Sequence, residues 1–387
     1  MLVPAAFLAI EVLLAKPRRE AATPEAGDRP PCAVLIPAHD EQASIGATLV
    51  RLRPRLGPRD RVLVVADNCS DATAIVARNH GALVLERSDA ERRGKGYALA
   101  AGLAEIERWQ RPPAAVVVLD ADCRFDASQP DGLAALVRQA VESGRPAQAV
   151  NLVEAAADAG PRSRIAVFAF RVKNLVRPLG LARLGGGCLL TGTGMAFPLG
   201  LVRPEDLASS DIVEDMRLGV NLAIAGRSAQ LCTRAQVRSP LAPSDAGWRS
   251  QRTRWEQGHL RSIAAHAPRL VRAGLRRPRL LLLALELAVP PLSLLALAVC
   301  SGWALAAAVV LATAMLGAMV GGTALGLLSA ALLLLFAAVW GAWRRFGQNV
   351  LRASDLARAA AYAAGKLGIY AGLLRGGERR WVRTERV

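Results

Sequence analysis

The stretch Ala114-Ala115-Val116-Val117-Val118-Leu119-Asp120-Ala121-Asp122 decides the fold class of this chain. Its apolar run predicts a buried parallel strand, and Asp120 and Asp122 follow at the carboxyl end of that strand. In open α/β sheets, ligands bind at that end of the strands. Two carboxylates one residue apart can hold a divalent cation that is shared with substrate phosphates, although an ordinary surface turn has the same pattern.

Strand and helix signals alternate before this stretch. Strands are predicted at residues 32–38, 62–66 and 82–86, and helices at residues 43–52, 72–79 and 97–109. This alternation predicts an α/β fold with a mostly parallel sheet and helices on both faces.

An apolar block at residues 281–343 contains a single charged residue, Glu286, and is long enough for two or three membrane spans. Arginines crowd at both of its flanks: Arg269, Arg272, Arg276, Arg277 and Arg279 before it, and Arg344 and Arg345 after it. This pattern indicates that both flanks are cytoplasmic, which requires an even number of spans. We therefore expect two spans with an interfacial or re-entrant piece, and a break near Pro290-Pro291 or near residues 317–322.

The net charge of +17 and the position of these arginines favour membrane lipids as the partner of the basic residues. Nucleic acid is the least favoured partner, because aromatic residues make up only 4% of the chain.

The apolar run at residues 2–15 predicts a signal anchor or an interfacial helix rather than a cleaved signal peptide. Six scattered cysteines argue against a zinc site and against a disulfide framework. The predicted domains are residues 1–31, an N-terminal helix and linker; residues 32–265, catalytic; and residues 266–387, membrane helices and a cytosolic tail.

Polar segments follow the predicted strands or open predicted helices. They are residues 37–41, 67–71, 92–96, 211–215 and 251–255. Glycines and Lys95 at a helix start suit phosphate binding. Asp71 is expected to cap a helix. The acidic residues 214 and 215, just before a helix predicted at residues 216–225, could do the same or supply a general base. Arg254 and Trp255 suit a phosphate and a sugar, although an interfacial membrane anchor has the same composition.

Taken in this order, the segments resemble the family 2 glycosyltransferases, the inverting enzymes of GT-A fold. The likeness is to the membrane-integrated branch that includes cellulose, chitin and hyaluronan synthases and ceramide glucosyltransferase. It runs from about Ala33 to about Leu260, and the apolar block and the segment 381–386 continue it. The resemblance implies a GT-A catalytic domain in the cytoplasm, followed by a transmembrane helical region in the inner membrane of a bacterium.

The resemblance also implies site roles. The residues that would bind the donor are Pro37, Ala38, Glu41, Asp67, Lys95, Asp120 and Asp122. A cation, Mg²⁺ or Mn²⁺, would bind Asp122 and Asp120. Asp215 would be the catalytic base, with Glu214 beside it. The residues that would contact the acceptor and the diphosphate are Thr193, Gly194, Gln251, Arg254 and Trp255.

The expected activity is transfer of a sugar from a nucleotide-sugar donor, with uridine as the family's usual base, to a lipid-linked or polysaccharide acceptor. This would serve exopolysaccharide or glycolipid synthesis. A processive synthase is the alternative, and a homodimer or a partner subunit could complete its channel. A non-catalytic membrane scaffold is a further alternative, but it would be expected to lose Asp122, Asp215 or Arg254, and all three are present.

Overall fold

The computed structural model describes residues 1–16, 29–156, 158–211, 213–241, 245–315, 321–368 and 370, without the side chains of residues 245, 246 and 248–250. The predicted segment 381–386 and part of the N-terminal linker lie outside these residues. The chain forms two compact units, which we call the helical unit (residues 1–17, 155–186 and 249–379) and the sheet unit (residues 18–154, 187–248 and 380–387). The two units are defined by which parts of the chain pack together. They do not test the domain ranges 1–31, 32–265 and 266–387, which stay a prediction.

The sheet unit is built on eight strands. In chain order they are β1 (Cys32–Ala38), β2 (Arg61–Asp67), β3 (Leu83–Arg87), β4 (Ala115–Val118), β5 (Arg124–Phe125), β6 (Ala147–Glu154), β7 (Met195–Pro198) and β8 (Gln230–Pro240). Their order in the sheet is β3-β2-β1-β4-β7-β6-β8-β5. Strands β3, β2, β1 and β4 are parallel, β7 is antiparallel to β4 and β6, and β8 is parallel to β6. The predicted α/β sheet is confirmed.

Helices cover both faces of the sheet. They are α2 (Ile45–Leu52, extended by a 3-10 turn at Arg53–Arg55), α3 (Thr73–Asn79), α4 (Lys95–Glu107), α5 (Gly132–Ser143), α8 (Pro204–Leu207) and α9 (Glu214–Ile224). Val34 and Ile36 pack under α2, α3 and α5, whereas Ala33 and Leu35 pack under α4, α8 and α9. Alternate residues of a strand point to opposite faces, so β1 contributes to both cores and is buried on both sides.

Two helices begin earlier than the sequence predicted. The predicted starts were Tyr97 and Met216, whereas α4 begins at Lys95 and α9 at Glu214. The charged residues that looked like preceding loop are therefore the first helical turns. Acidic side chains in a first turn are favoured because they interact with the unpaired amides and the positive end of the helix dipole.

The helical unit contains the remaining helices. They are α1 (Leu2–Leu14), α6 (Pro161–Arg171), α7 (Arg177–Arg183), most of α10 (Asp245–Gly274), α11 (Arg279–Ala288), α12 (Leu292–Met315), α13 (Gly322–Ala342), α14 (Ala353–Leu356) and α15 (Ala359–Ala364), with π-helical turns at Val172–Val176 and Trp343–Gly347. The predicted break at Pro290-Pro291 lies between α11 and α12. Of the second predicted break, residues 316–320 lie outside the described residues.

Two helices of the described chain, Leu292–Met315 and Gly322–Gly347, are long and apolar enough to cross a membrane. Large side chains on them, including Leu305, Leu311, Leu333 and Phe336, are about two-thirds exposed. A core helix of a soluble protein would bury such side chains, so these surfaces have the composition of a lipid-facing surface. The helix α11 has ten residues and is too short to span.

The two acids that stand alone in apolar segments meet the same arginine inside the helical unit. Arg177 donates from Nε to Glu11 Oε2 at 2.9 Å and from Nη2 to Glu286 Oε2 at 2.8 Å. All three side chains are buried. Because buried charges need partners, this triad joins α1, α7 and α11.

Close backbone contact holds α1 beside α7. A Cβ atom at Gly180 would overlap the carbonyl oxygen of Glu11. At the end of α1, the Arg345 guanidinium donates hydrogen bonds to the carbonyl oxygens of Val12, Leu13 and Ala15. These contacts satisfy carbonyls that a helix end otherwise leaves unpaired.

We expect Gly180→Ala to destabilise the protein, because the added methyl group forces α1 away from α7. Overpacking of this kind costs about 1 to 3 kcal/mol, and the apparent melting temperature in detergent should fall. Gly326→Ala is the matched control, since its methyl group meets open space. A Gly180→Ala protein that melts with the wild type would contradict the close contact.

Candidate active site

The start of α4 is packed against the backbone of residues 207–209. A Cβ atom at Gly96 would lie 2.6 Å from the carbonyl oxygens of Leu207 and Ser209, so a side chain does not fit there. Gly94, just before the helix, has a φ of 127°, which favours glycine. These two glycines therefore bring Lys95 close to the acidic segment that begins at Asp211.

Lys95 is the central cation of the site. Its Nζ donates to Asp120 Oδ1 at 2.5 Å and to the carbonyl oxygen of Gly192 at 2.7 Å. Burial lowers the pKa of Lys95, but the charges of Asp120, Glu214 and Asp215 outweigh burial and raise that pKa above its usual value. Lys95 therefore remains charged at neutral pH.

The loop of residues 191–194 forms the other side of the site. Thr193 Oγ1 accepts a hydrogen bond from the Asp120 amide at 3.0 Å. Gly192 has a φ of 82°, and a Cβ atom there would lie 3.3 Å from Asp215 Oδ2 and 3.4 Å from Lys95 Nζ. Three charged side chains, Lys95, Asp120 and Asp215, thus converge around a position that only glycine suits.

The two acids at the start of α9 differ in their environment. Glu214 is buried, and burial raises its pKa to about 8; Lys95 opposes this rise, and Asp215 adds to it. Glu214 therefore holds its proton to a higher pH than an exposed glutamate. Asp215 is half-buried and accepts a hydrogen bond from the Met216 amide at Oδ1, so it is the more accessible carboxylate of the two.

A cation can be held after β4. Ligand atoms of Asp120, Asp122 and Cys123 lie within 4.8 Å of one another. Burial and the charge of Asp122 raise the pKa of the Cys123 thiol well above its usual value, and the thiol hydrogen-bonds Asp122 Oδ1. The thiol thus keeps its proton and leaves two carboxylates, which are ligands that Mg²⁺ and Mn²⁺ prefer.

Residues predicted to contact the nucleoside lie at the ends of β1 and β2. Pro37 and Ala38 end β1, and Glu41 Oε2 accepts a hydrogen bond from Ser44 at 2.6 Å. Asp67 Oδ1 pairs with Arg87 at 2.6 Å. Asp71 accepts from the Thr73 amide at 2.9 Å, but the N-cap residue of α3 is Ala72, so Asp71 stands one residue before the predicted capping position.

Gln251, Arg254 and Trp255 lie on α10 in the helical unit. Gln251 is buried, whereas Trp255 is 36% exposed and its ring centroid lies 5.1 Å from that of Phe170. Their role at the diphosphate and the acceptor stays a prediction.

Two buried amides that the sequence analysis missed hold the 191–194 loop. Gln148 accepts from the Thr191 amide at 2.9 Å and donates to the Thr193 carbonyl oxygen at 2.9 Å. Asn151 donates to the Thr191 carbonyl oxygen at 3.2 Å. The sequence offered one signal for these residues, since Gln148 and Asn151 are two amides within the otherwise apolar run of β6. Buried polar groups need hydrogen-bond partners, so both amides are expected to hold a neighbouring segment.

Known proteins similar to the chain share this architecture. A sequence profile described as "Glycosyltransferase like family 2" matches residues 30–258. No curated protein matches the chain. A mannosyltransferase from Pyrobaculum calidifontis, solved in complex with GDP-Man and Mn²⁺, is 18% identical with a TM-score of 0.55, over 97% of this chain and 98% of that one. At that identity the likeness shows the fold alone.

Two further solved structures are more distant. Glucosyl-3-phosphoglycerate synthase from Mycobacterium tuberculosis is 20% identical over 67% of this chain and 87% of its own, with a TM-score of 0.40. Mannosyl-3-phosphoglycerate synthase from Rubrobacter xylanophilus is 18% identical over 63% of this chain and 75% of its own, with a TM-score of 0.36. Both TM-scores are below 0.5.

We expect Glu214→Gln to remove a pH dependence of stability. The pKa of Glu214 is about 8 in the folded protein and 4.5 without the fold, so the unfolded chain loses this proton first as the pH rises. Wild-type stability should therefore decline between pH 5 and 8, by at most ~1.4 kcal/mol per pH unit from this group. The variant should gain stability relative to the wild type over that range.

Thermal unfolding of both proteins from pH 5 to 8 measures this difference. Glu205→Gln, at an exposed position in α8, is the control and should follow the wild type. A difference between Glu214→Gln and wild type that is constant across the range would show that Glu214 is ionised throughout.

Proposed function

The chain belongs to the family described as glycosyltransferase like family 2, and from this premise we propose that it is an inverting membrane glycosyltransferase. It moves a sugar from a nucleotide-sugar donor to a lipid-linked or polysaccharide acceptor, in exopolysaccharide or glycolipid synthesis. The observation that carries the proposal is the convergence of Lys95, Asp120 and Asp215 around Gly192.

Stabilisation of the leaving diphosphate is the first task of the site. Negative charge grows on the diphosphate as the bond to the sugar breaks, and a cation fixed beforehand stabilises that charge without reorganisation. Lys95 meets this need, because its raised pKa keeps it charged. Mg²⁺ or Mn²⁺ held by Asp122 and Asp120 would neutralise further charge. Arg254 and Gln251 would contact the same diphosphate.

Activation of the acceptor is the second task, and Asp215 performs it. The carboxylate takes the proton of the acceptor hydroxyl while that oxygen bonds to the anomeric carbon. The bond from that carbon to the diphosphate oxygen breaks on the opposite face, so the anomeric configuration inverts. Glu214 is buried and its pKa is raised to about 8, so the half-buried Asp215 is the first candidate for the base and Glu214 beside it the second. Thr193, Gly194 and Trp255 would face the acceptor.

The nucleoside would lie at the ends of β1 and β2, beside Pro37, Ala38, Glu41 and Asp67, and we propose uridine as its base. The two apolar helices support a place in the bacterial inner membrane, with the catalytic domain in the cytoplasm. A processive synthase needs a channel of several spans, whereas the described residues supply two candidates. This favours transfer of one or a few sugars to a lipid carrier.

Nucleoside diphosphate release tests the donor and the cation together. Purified protein in detergent is incubated with a panel of nucleotide sugars, with Mg²⁺ or Mn²⁺ and then with excess chelator. We expect turnover with one donor class, its loss in chelator, and its recovery when metal is restored. Asp122→Ala should lose metal-dependent nucleotide binding. Full activity in excess chelator would rule out the metal role.

Asp215→Asn separates a base from an acid that only stabilises the helix start. Asp215 lies in the first turn of α9, after the N-cap Val213, so Asn loses only the interaction with the helix dipole, about 0.3 to 1 kcal/mol, and the melting temperature and donor binding should stay near wild type. Transfer should fall by ~10² to 10⁴, because the amide does not accept the proton. Asp211→Asn is the matched control, since Asp211 is exposed and pairs with Arg217. If Asp215→Asn keeps transfer within a few-fold, Asp215 is not the base.

A further inference from the structure

A buried ionic cluster joins three parts of the helical unit. Lys366, near the C-terminal end of the described chain, is 4% exposed, and its Nζ donates to Glu256 Oε1 and to Ser293 Oγ. Arg252 donates from Nε to the same Glu256 oxygen at 3.1 Å. Arg252 and Glu256 belong to α10, and Ser293 lies in the first turn of α12. Lys366 thus ties α10 to the start of the first candidate membrane helix.

The ring of Tyr362 completes this cluster. The Arg252 guanidinium lies 4.7 Å from the ring centroid, and the Lys366 ammonium lies 4.6 Å from it. The ring therefore attracts both cations that contact Glu256. Tyr370 extends the cluster, since its hydroxyl lies 3.2 Å from Ser293 Oγ.

Burying these charged side chains in the core costs free energy, because the charges lose their hydration. Burial, and then the charge of Arg252, lower the pKa of Lys366 to about 8, while Glu256 opposes the change. Apolar side chains of similar volume often give equal or greater stability than a buried ion pair. What the charges add is geometry, because the hydrogen bond from Lys366 to Glu256 is directional and constrains α10 from outside the helix, whereas the Arg252–Glu256 bond lies within it.

The rotation of α10 about its axis matters because Gln251 and Trp255 lie beside Arg252 and Glu256 on the same helix. Successive residues of a helix are about 100° apart. Arg252 and Glu256 therefore share one face, and Gln251 and Trp255 share the adjoining face. A small rotation or shift of α10 moves both sets together.

We propose that Lys366, acting through Glu256, is a positioning residue that holds α10 so that Gln251, Arg254 and Trp255 are aligned for sugar transfer. This role rests on the proposed function, which assigns those three residues to the diphosphate and the acceptor. The C-terminal part of the chain thereby acts on the reaction without contacting the substrate.

Two kinds of variant test the role of Lys366. Lys366→Met removes one charge of the pair, and the double variant Lys366→Met with Glu256→Gln removes both charges while keeping a side-chain oxygen that accepts from Arg252. Lys366→Met should melt below wild type, because Glu256 loses a buried partner, whereas the double variant should melt close to wild type. Both should lower kcat for transfer by ~10 to 100-fold, the loss that a misplacement of about 1 Å produces, with the KM for the donor unchanged. Lys366→Arg keeps the cation and should restore kcat to within about threefold.

The matched control is Arg164→Met, which breaks a second ion pair of the helical unit. Arg164 pairs with Asp355 at 2.7 Å, and neither residue is on α10. This variant should lower the melting temperature and leave kcat unchanged. The positioning role is overturned if the double variant transfers sugar within twofold of wild type, or if the control loses kcat equally.

Hydrogen exchange gives a measurement that does not depend on activity. Amides of residues 251–258 should exchange faster in Lys366→Met than in wild type, and at the wild-type rate in Arg164→Met. Unchanged exchange in Lys366→Met would overturn the inference whatever the activity. If the wild type turns over no donor, the proposed function fails, and exchange still decides whether Lys366 holds α10.

Discussion

A single ammonium group offsets the carboxylates gathered at the end of the sheet. Asp120, Glu214 and Asp215 all interact with Lys95, and the carboxylates of Asp120 and Asp215 would repel each other without it. Its second hydrogen bond, to the Gly192 carbonyl oxygen, holds the loop that closes the site. The glycines at 94, 96 and 192 allow the backbone to come close enough for one side chain to reach all of these groups. The geometry of the site therefore depends on this one cation.

The environment separates two neighbouring acids by role. Glu214 and Asp215 are adjacent in sequence, yet Glu214 is buried, with its pKa raised to about 8, and Asp215 is half-buried. Neighbouring acids in different environments can do different work in one site. While Glu214 holds its proton, it does not repel the carboxylate of Asp215. Asp215 is then the carboxylate that remains accessible for proton transfer.

Local patterns were predicted from the sequence, whereas long-range pairing was not. Strand β1 has the bounds that its apolar run predicted, since a strand buried on both faces reads as continuous hydrophobic sequence. The insertion of antiparallel β7 between β4 and β6 depends on partners far apart in the chain. The same holds for Gln148, because its loop partners follow it by more than 40 residues. The starts of α4 and α9 were missed because charged residues resemble loop.

The triad of Glu11, Arg177 and Glu286 has a consequence for the order in which the protein is made. Arg177 leaves the ribosome 166 residues after Glu11, and Glu286 follows 109 residues later. At ~5 to 20 residues per second, the nascent N-terminal helix waits roughly 8 to 33 s for its first partner. Almost all of the sheet unit is synthesised before Glu286 emerges. Helix α1 thus reaches its final contacts only after most of the sheet unit has been synthesised.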